Sequence, residues 1–183
     1  MALQGKLPHP KRYITTHDDD GRGIIDPTIP SELPFIEVPS KAASHCVGYV
    51  TKGFPTVLED GKDIAIYQQN LINPPGLTVS NGTVLRYVDI PPNNPADMHR
   101  TVSLDFGVVL EGEVELILDS GEKQVMRRGD ICIQRATSHA WRNTSDTEWV
   151  RMLFMLQPVQ PLAVGGKELT EELGTIDGVR PSS

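Results

Sequence analysis

Two histidines and one aspartate in this sequence are of the residue types that form catalytic or metal-binding sites. The stretch DMHRTVSLDFGVVLEGEVELIL, residues 97–118, contains His99 and Asp105, and QRATSHAWRN, residues 134–143, contains His139. Imidazole and carboxylate groups bind first-row metals, and they also transfer protons near neutral pH. The residues therefore leave both metal-dependent chemistry and metal-free acid–base chemistry open.

The spacing within the first stretch is that of a strand face. Because side chains alternate between the two faces of a β-strand, residues 99, 101, 103 and 105 point the same way. His99 and Asp105 are therefore predicted to point into one interior, with Thr101 between them as a substrate contact. His139 is predicted to approach from a second strand across that interior.

Two further side chains are candidates for the wall of this interior. Arg86, in TVLRYVDI, shares its strand face with apolar residues, and a charged group there needs a partner. It is predicted to bind a carboxylate, enolate or phenolate oxygen of a substrate. The alternative is that its side chain reaches solvent or forms a structural ion pair with Asp89 or Glu148. Trp141, two residues beyond His139, is predicted to form an aromatic wall or to pack in the core.

The strands that would carry these residues are indicated from residue 83 onward. The runs TVLRYVDI, FGVVLEG, EVELIL, DICIQR and EWVRMLFML are apolar or alternating, and PPNNPAD, DSGE and RRGD separate them with turn residues. The 15 prolines and 16 glycines favour short strands over long helices. We predict an all-β sandwich or small barrel with its core in residues 81–160.

The two ends of the chain are less regular. Residues 1–80 are predicted to be an N-terminal extension whose short strands pack on the barrel, with TTHDDDGRGIID as two strands around a polar turn. His9, His17 and His45 lie there without partners at a recognisable spacing, so no role is assigned to them. Residues 161–183 are predicted to hold a short helix over KELTEEL and a tail, which makes the whole chain one domain.

Length, charge and composition exclude several classes of partner. The 183 residues suffice for one domain with its own core. The net charge is −7 with no basic stripe, so nucleic acid is not expected, and no apolar run reaches the length of a signal peptide or membrane span. Cys46 and Cys132 form no CxxC pattern. We expect a cytoplasmic protein that binds a small molecule and no membrane.

The segment from His99 to Asn143 resembles the two-motif signature of the cupin superfamily. The first cupin motif contains His-x-His, then a glutamate, then a glycine. Here Gly112 occupies the glycine position and His99 the first histidine position. Thr101 stands in place of the second histidine, and Asp105 stands in place of the glutamate.

The second cupin motif begins with a glycine and ends with a histidine and an asparagine, which Gly129, His139 and Asn143 match, while RATS replaces and shortens the Pro-x-Gly stretch. The resemblance implies a single-domain cupin-type β-barrel, that is, a double-stranded β-helix or jelly roll. It also implies a metal set of His99, Asp105 and His139. Two imidazoles and one carboxylate suit a single divalent ion of Fe, Mn, Ni or Zn, and a site with no cofactor is the alternative.

The stretches MHRTVSLDFGVVLEGEVELIL, RRGD and QRATSHAWRN resemble the small single-domain cupins of fungal natural-product pathways. This resemblance implies a lyase or cyclase that acts on an oxygenated polyketide or terpenoid intermediate by acid–base dehydration or cyclisation, pericyclic closure included. His99 or His139 would remove a proton, Asp105 would orient the imidazole, and Arg86 would stabilise charge on oxygen. The alternatives are a metal-dependent dioxygenase or decarboxylase and a non-catalytic ligand-binding cupin. A homodimer is expected, because cupin-like barrels often pair through their sheets.

Overall fold

The computed structural model describes residues 7–39, 41–174, 180 and 182. It consists mainly of β-strands, with a short 3-10 helix at Glu59–Gly61 and one α-helix, α1, at Lys62–Ile72 among the described residues. The strands in chain order are β1 (Thr15–His17), β2 (Gly23–Ile25), β3 (Ile36–Glu37), β4 (Ser44–Lys52), β5 (Gly82–Ile90), β6 (Ser103–Glu111), β7 (Glu113–Leu118), β8 (Lys123–Arg127), β9 (Ile131–Arg135), β10 (His139–Asn143), β11 (Val150–Pro158), β12 (Ala163–Val164) and β13 (Lys167–Glu168).

Two antiparallel sheets share one hydrophobic core. The larger sheet has the strand order β3-β4-β5-β11-β6-β9, and the smaller has the order β10-β7-β8. Val84 and Met152 of the larger sheet and Val114 and Met126 of the smaller sheet belong to the same buried cluster. The predicted all-β fold of two sheets around one core is therefore confirmed.

The alternating pattern that predicts the strands has a direct physical counterpart in β11. Phe154 and Leu156 are 8% and 4% exposed, whereas Met155 between them is 40% exposed on the opposite face of the sheet. The five apolar or alternating runs predicted from the sequence coincide with β5, β6, β7, β9 and β11. Burial of one strand face is the driving force in each case.

The turn between β6 and β7 requires a glycine. Gly112 has a φ of +78°, a conformation that side chains with a Cβ atom rarely adopt. A Cβ atom at this position would also lie 2.9 Å from the carbonyl oxygen of Trp149. The glycine of the first cupin motif is thus explained by the backbone of a tight turn rather than by chemistry.

The predicted helix over residues 167–173 is wrong. This stretch instead begins with β13, which pairs with β12 as a hairpin through Gly165 and Gly166, both of positive φ. Glu172 then pairs with Arg100 through two backbone hydrogen bonds of 2.7 and 2.9 Å. The two glycines favour a hairpin turn, and backbone pairing to a distant segment takes the place of local helical bonds.

The first 80 residues contain regular structure that the sequence analysis does not predict. β3 and β4 are members of the larger sheet, and α1 packs on β4, where the Tyr67 hydroxyl donates a 2.8 Å hydrogen bond to the carbonyl of Val47. The predicted pair of strands around a polar turn is present as β1 and β2. No helix in the described part of the chain is both long and apolar enough to cross a membrane.

A buried ion pair joins β5 to β11. Nε and Nη2 of Arg151 each donate a 2.6 Å hydrogen bond to a carboxylate oxygen of Asp89, and both side chains are buried. Arg151 also donates to the carbonyl of Pro8, and its guanidinium lies over the ring of Phe35. The same pair therefore anchors the N-terminal segment to the larger sheet.

Asp89→Asn is expected to lower the free energy of unfolding by about 3 kcal/mol, because it leaves the buried Arg151 charge without a counter-ion. Urea denaturation measures this loss. Asp20→Asn is the matched control, since its ion pair with Arg22 is 73% exposed on both sides and contributes little. Equal losses in the two variants would contradict this account of the pair.

Candidate active site

A partly open cavity lies between the two sheets. Its volume is about 140 Å³, close to that of a cavity that holds a benzene molecule. The apolar side chains of Val88, Ile90, Phe154 and Leu156, from β5 and β11, form part of its wall. All six side chains that the sequence analysis proposes for the site line this cavity, namely Arg86, His99, Thr101, Asp105, His139 and Trp141.

His99 and His139 are direct neighbours rather than residues on opposite sides of the interior. Each backbone N–H donates to the carbonyl of the other residue, over 2.9 and 2.8 Å. The two imidazole rings lie with their centroids 4.3 Å apart. The edge of the Trp141 ring meets His139 at a centroid distance of 5.7 Å, so the pair is continuous with an aromatic wall.

Backbone carbonyls fix the tautomer of both rings. Nδ1 of His99 lies 3.0 Å from the carbonyl oxygen of Asp97, and Nδ1 of His139 lies 2.9 Å from that of Thr137. A carbonyl oxygen can only accept, so Nδ1 carries the hydrogen in each ring. Nε2 is then the nitrogen with a free lone pair, and it can take a proton or bind a metal.

Both imidazoles are held in the neutral form. Burial lowers the pKa of His139 to about 3, and the neighbouring His99 contributes to the same shift. Burial also lowers the pKa of His99, against the opposing influence of the Asp97 carbonyl and carboxylate. Two rings 4.3 Å apart disfavour a second positive charge, so at most one of them is protonated at a time.

Asparagine side chains hold the loop that carries His99 against β10. Nδ2 of Asn94 donates to the carbonyl of Trp141, and Oδ1 of Asn94 accepts from the backbone N–H of Asn143, both over 2.8 Å. Asn143, the last residue of the second motif, donates to the carbonyls of Ile90 and Glu148. Asn143 therefore has a structural role in this chain, which is to tie β10 to the end of β5.

Asp105 is not the group that orients a histidine. Its Oδ2 accepts a 3.2 Å hydrogen bond from the Thr101 hydroxyl, which in turn accepts a 2.7 Å bond from Ser103. Its Oδ1 is buried and has no hydrogen-bond partner in the described part of the chain. Burial raises the pKa of Asp105 to about 6, although the two hydroxyls and the charge of Arg86 oppose the shift. The expected orienting role is wrong, because backbone carbonyls already occupy both Nδ1 atoms.

Arg86 is a buried cation at the cavity wall. Its side chain is 3% exposed, which excludes the solvent-facing alternative, and Asp89 is already paired with Arg151. Nη2 donates a 2.8 Å hydrogen bond to the carbonyl of Gly76, and Nε has no partner among the described residues. Burial lowers the pKa of Arg86 to about 10, so the guanidinium remains charged at pH 7.

His45 is a cavity residue that the sequence analysis misses. It lies in β4, lines the cavity, and its buried Nδ1 has no hydrogen-bond partner in the described structure. Burial lowers the pKa of His45 to about 4, with the nearby charge of Arg86 as a second cause. The apolar run CVGYV directly after His45 is the available signal for a strand there, but nothing in the local sequence shows that this strand joins the larger sheet.

The three residues expected as metal ligands do not form a set in this structure. Nε2 of His99 and of His139 suits a metal ion, because an Nδ1–H bonded to a carbonyl is the usual arrangement of a ligating histidine. Among the described residues, however, no three His, Cys, Asp or Glu side chains lie together in a way that could hold an ion. The two histidines fit a metal, and Asp105 does not complete the triad.

Comparison with known proteins identifies the family. Residues 86–156 match the family model described as Cupin domain. The chain is 42% identical over 164 residues to Phomopsin biosynthesis cluster protein C' of Diaporthe leptostromiformis, an alignment that covers 90% of this chain and 86% of that protein. The chain belongs to the cupin family.

Other relatives extend the same pattern. Oryzines biosynthesis cluster protein J of Aspergillus oryzae is 40% identical over 170 residues, which is 93% of this chain and 94% of that protein. Cupin-domain-containing oxidoreductase srdB of Neurospora crassa is 38% identical over 168 residues, which is 92% of this chain and 83% of that protein. The relatives are thus proteins of fungal biosynthesis clusters and cupin-domain oxidoreductases.

His45 gives a testable pH dependence of stability. In the unfolded chain it takes a proton near its ordinary pKa of 6.5, whereas in the folded chain it stays neutral down to about 4. The unfolded state therefore binds more protons in this window, and stability falls as the pH falls from about 6.5 to about 4. Between pH 7 and pH 5 the unfolding free energy of His45→Gln is expected to fall by about 2 kcal/mol less than that of the unmodified protein.

Denaturant titrations at both pH values measure this difference. Val88→Ala is the control, because it changes the same cavity wall without removing a titrating group. It should lower stability equally at pH 7 and pH 5. The same pH dependence in His45→Gln and in the unmodified protein would contradict the neutral, buried state of His45.

Proposed function

We propose that the chain is a lyase or cyclase of natural-product biosynthesis that acts on a small, largely apolar, oxygenated substrate by acid–base dehydration or cyclisation. The observation that carries the proposal is the coexistence, in one cavity, of a neutral histidine pair with free Nε2 atoms and a carboxyl group whose pKa is about 6. A base and an acid with different environments are what a proton-transfer site requires.

His99 is the better candidate for the base. The pKa of His139 is lowered to about 3, so its lone pair is a weak proton acceptor. Burial lowers the pKa of His99 as well, but the carbonyl and the carboxylate of Asp97 oppose that shift. The bond from Nδ1 to a carbonyl holds the ring in place while Nε2 takes the proton, and His139 provides a neutral neighbour.

Asp105 is the candidate for the acid. At pH 7 a carboxyl group of pKa about 6 is protonated in roughly one molecule in ten, which is enough to supply a proton at a useful rate. In a dehydration, His99 would remove hydrogen from the carbon next to a carbonyl group. The hydroxyl of the adjacent carbon would leave with the proton of Asp105 as water, a carbon–carbon double bond would form, and the proton on His99 would return to Asp105.

Arg86 and the apolar wall complete this scheme. The guanidinium would stabilise the negative charge that develops on the carbonyl oxygen as the proton is removed. The wall around Trp141 and Phe154 would keep water away from the intermediate. No redox cofactor is needed, because the reaction moves only protons and one water molecule.

A metal-dependent oxidoreductase is the second candidate. It is favoured by the name of the relative from Neurospora crassa, a cupin-domain-containing oxidoreductase, and by the two free Nε2 atoms.

The predicted homodimer also stays a prediction. Ile131, Ile133 and Met155, exposed on the outer face of the larger sheet, support it as a surface that a second copy could cover.

The acid–base scheme predicts that His99→Gln and Asp105→Asn each lower turnover by at least about 100-fold with little change in the fold, since each removes one proton-transfer group. Small aryl β-hydroxy ketones serve as test substrates. Loss of water from the ketone is followed by mass spectrometry, and uptake of deuterium at the carbon next to the carbonyl is followed in D₂O. Circular dichroism verifies that both variants are folded.

His17→Gln and Asp146→Asn are the matched controls, because these exposed residues lie away from the cavity. Both should retain full turnover. Full activity in His99→Gln would defeat the assignment of the base. Turnover that requires added iron and consumes oxygen, and that EDTA abolishes, would instead establish the second candidate.

A further inference from the structure

We propose that Arg86 and His45 form a binding subsite for the carboxylate of a substrate whose neighbouring group is the size of an aromatic ring. This inference rests on the proposed function and deepens it by naming the substrate class. In the proposed reaction Arg86 stabilises negative charge that develops on the carbonyl oxygen of the substrate. The subsite would recognise an anionic oxygen that is present before the reaction begins.

Unsatisfied polar atoms at the cavity wall point to this ligand. Nε of Arg86 is buried without a hydrogen-bond partner in the described chain, and so is Nδ1 of His45. Both side chains line the cavity. Native proteins rarely bury a donor without a partner, and a guanidinium edge matches the two oxygens of a carboxylate.

The strand register places His45 and Asp105 on opposite sides of Arg86. His45 pairs with Val88, two positions beyond Arg86 on the same face of β5. Leu156 of β11 pairs with Val84 of β5 on one side and with Asp105 of β6 on the other. Asp105 is therefore level with Val84, which lies two positions before Arg86 in β5. An anion bound between Arg86 and His45 would therefore be displaced from Asp105, where a second negative charge would repel it.

Arg86 makes no direct ion pair within the described part of the chain, although the charge of Asp105 acts on it from a distance. Nη2 bonds to the carbonyl of Gly76, which is an uncharged acceptor. Among the described residues, Oδ1 of Asp105 and Nε of Arg86 each have no hydrogen-bond partner, so these two atoms do not bond to each other. A neutral His45 can donate to an anion but cannot balance the charge of the guanidinium. A carboxylate would supply both the counter-charge and the missing acceptor.

The rest of the cavity sets the size of the group attached to the carboxylate. The volume of about 140 Å³ accommodates one ring, and the wall near Arg86 is apolar, with Val88, Phe154 and Leu156. Trp141 and Phe154 meet edge to face at a centroid distance of 5.8 Å and present aromatic surface to the ring. Benzoate therefore has the charge, shape and size that the subsite predicts.

Isothermal titration calorimetry with benzoate and benzamide tests the subsite. The two probes have the same shape, but benzamide carries no charge. Benzoate is expected to bind roughly tenfold more tightly, because its hydrogen bonds to Arg86 are charge-assisted. Arg86→Gln should abolish this preference, and His45→Phe should reduce it. Arg135→Gln, which removes an exposed arginine of β9, is the matched control and should keep the full preference.

The outcomes separate this inference from the proposed function, because binding is measured without turnover. No detectable binding of benzoate, equal affinity for benzamide, or a preference that survives in both cavity variants would overturn the subsite. If Arg86→Gln does not fold, Arg86→Lys and His45→Phe decide, since lysine keeps the charge but not the planar edge and should weaken the preference. If the unmodified chain shows no preference for benzoate but does catalyse the proposed reaction, the subsite alone is defeated. Intact preference in a chain that catalyses no proton transfer would defeat the proposed function alone.

Discussion

The backbone pairing of His99 with His139 is the constraint on which the site depends. It places two imidazoles side by side at a cavity wall, and it requires the loop before β6 to lie along β10. Asn94 and Asn143 hold that loop from one side, and the pairing of Arg100 with Glu172 holds it from the other. The chemistry of the rings follows, because carbonyls two residues before each histidine occupy Nδ1 and leave Nε2 free.

Burial then divides the titratable groups of the cavity into distinct roles. The same low-polarity surroundings lower the pKa of His45, His99 and His139 and raise the pKa of Asp105. Near neutral pH the histidines are therefore proton acceptors, and Asp105 retains a proton in roughly one molecule in ten. Arg86 is the cation among these groups at pH 7, so the cavity suits a substrate with a negatively charged oxygen.

The sequence predicts the features that depend on local pattern. Alternation and turn residues place β5, β6, β7, β9 and β11 correctly, and motif spacing brings His99, Asp105 and His139 to one cavity. The features it misses depend on distant contacts. KELTEEL has helical residues but pairs with Arg100, and the role of His45 follows from β4 joining the larger sheet. The orientation of each imidazole by a main-chain carbonyl cannot be predicted from residue types, because every residue has such a carbonyl.

The most direct test of the account is the tautomeric state of the two cavity histidines, measured by ¹⁵N NMR of protein labelled in its imidazole nitrogens and treated with EDTA. At pH 7 both His99 and His139 are predicted to carry hydrogen on Nδ1 and a free lone pair on Nε2. His99→Gln and His139→Gln assign the signals. A hydrogen on Nε2 of either ring, or a doubly protonated ring at pH 7, would contradict the claim that the backbone holds a neutral histidine pair ready to accept a proton.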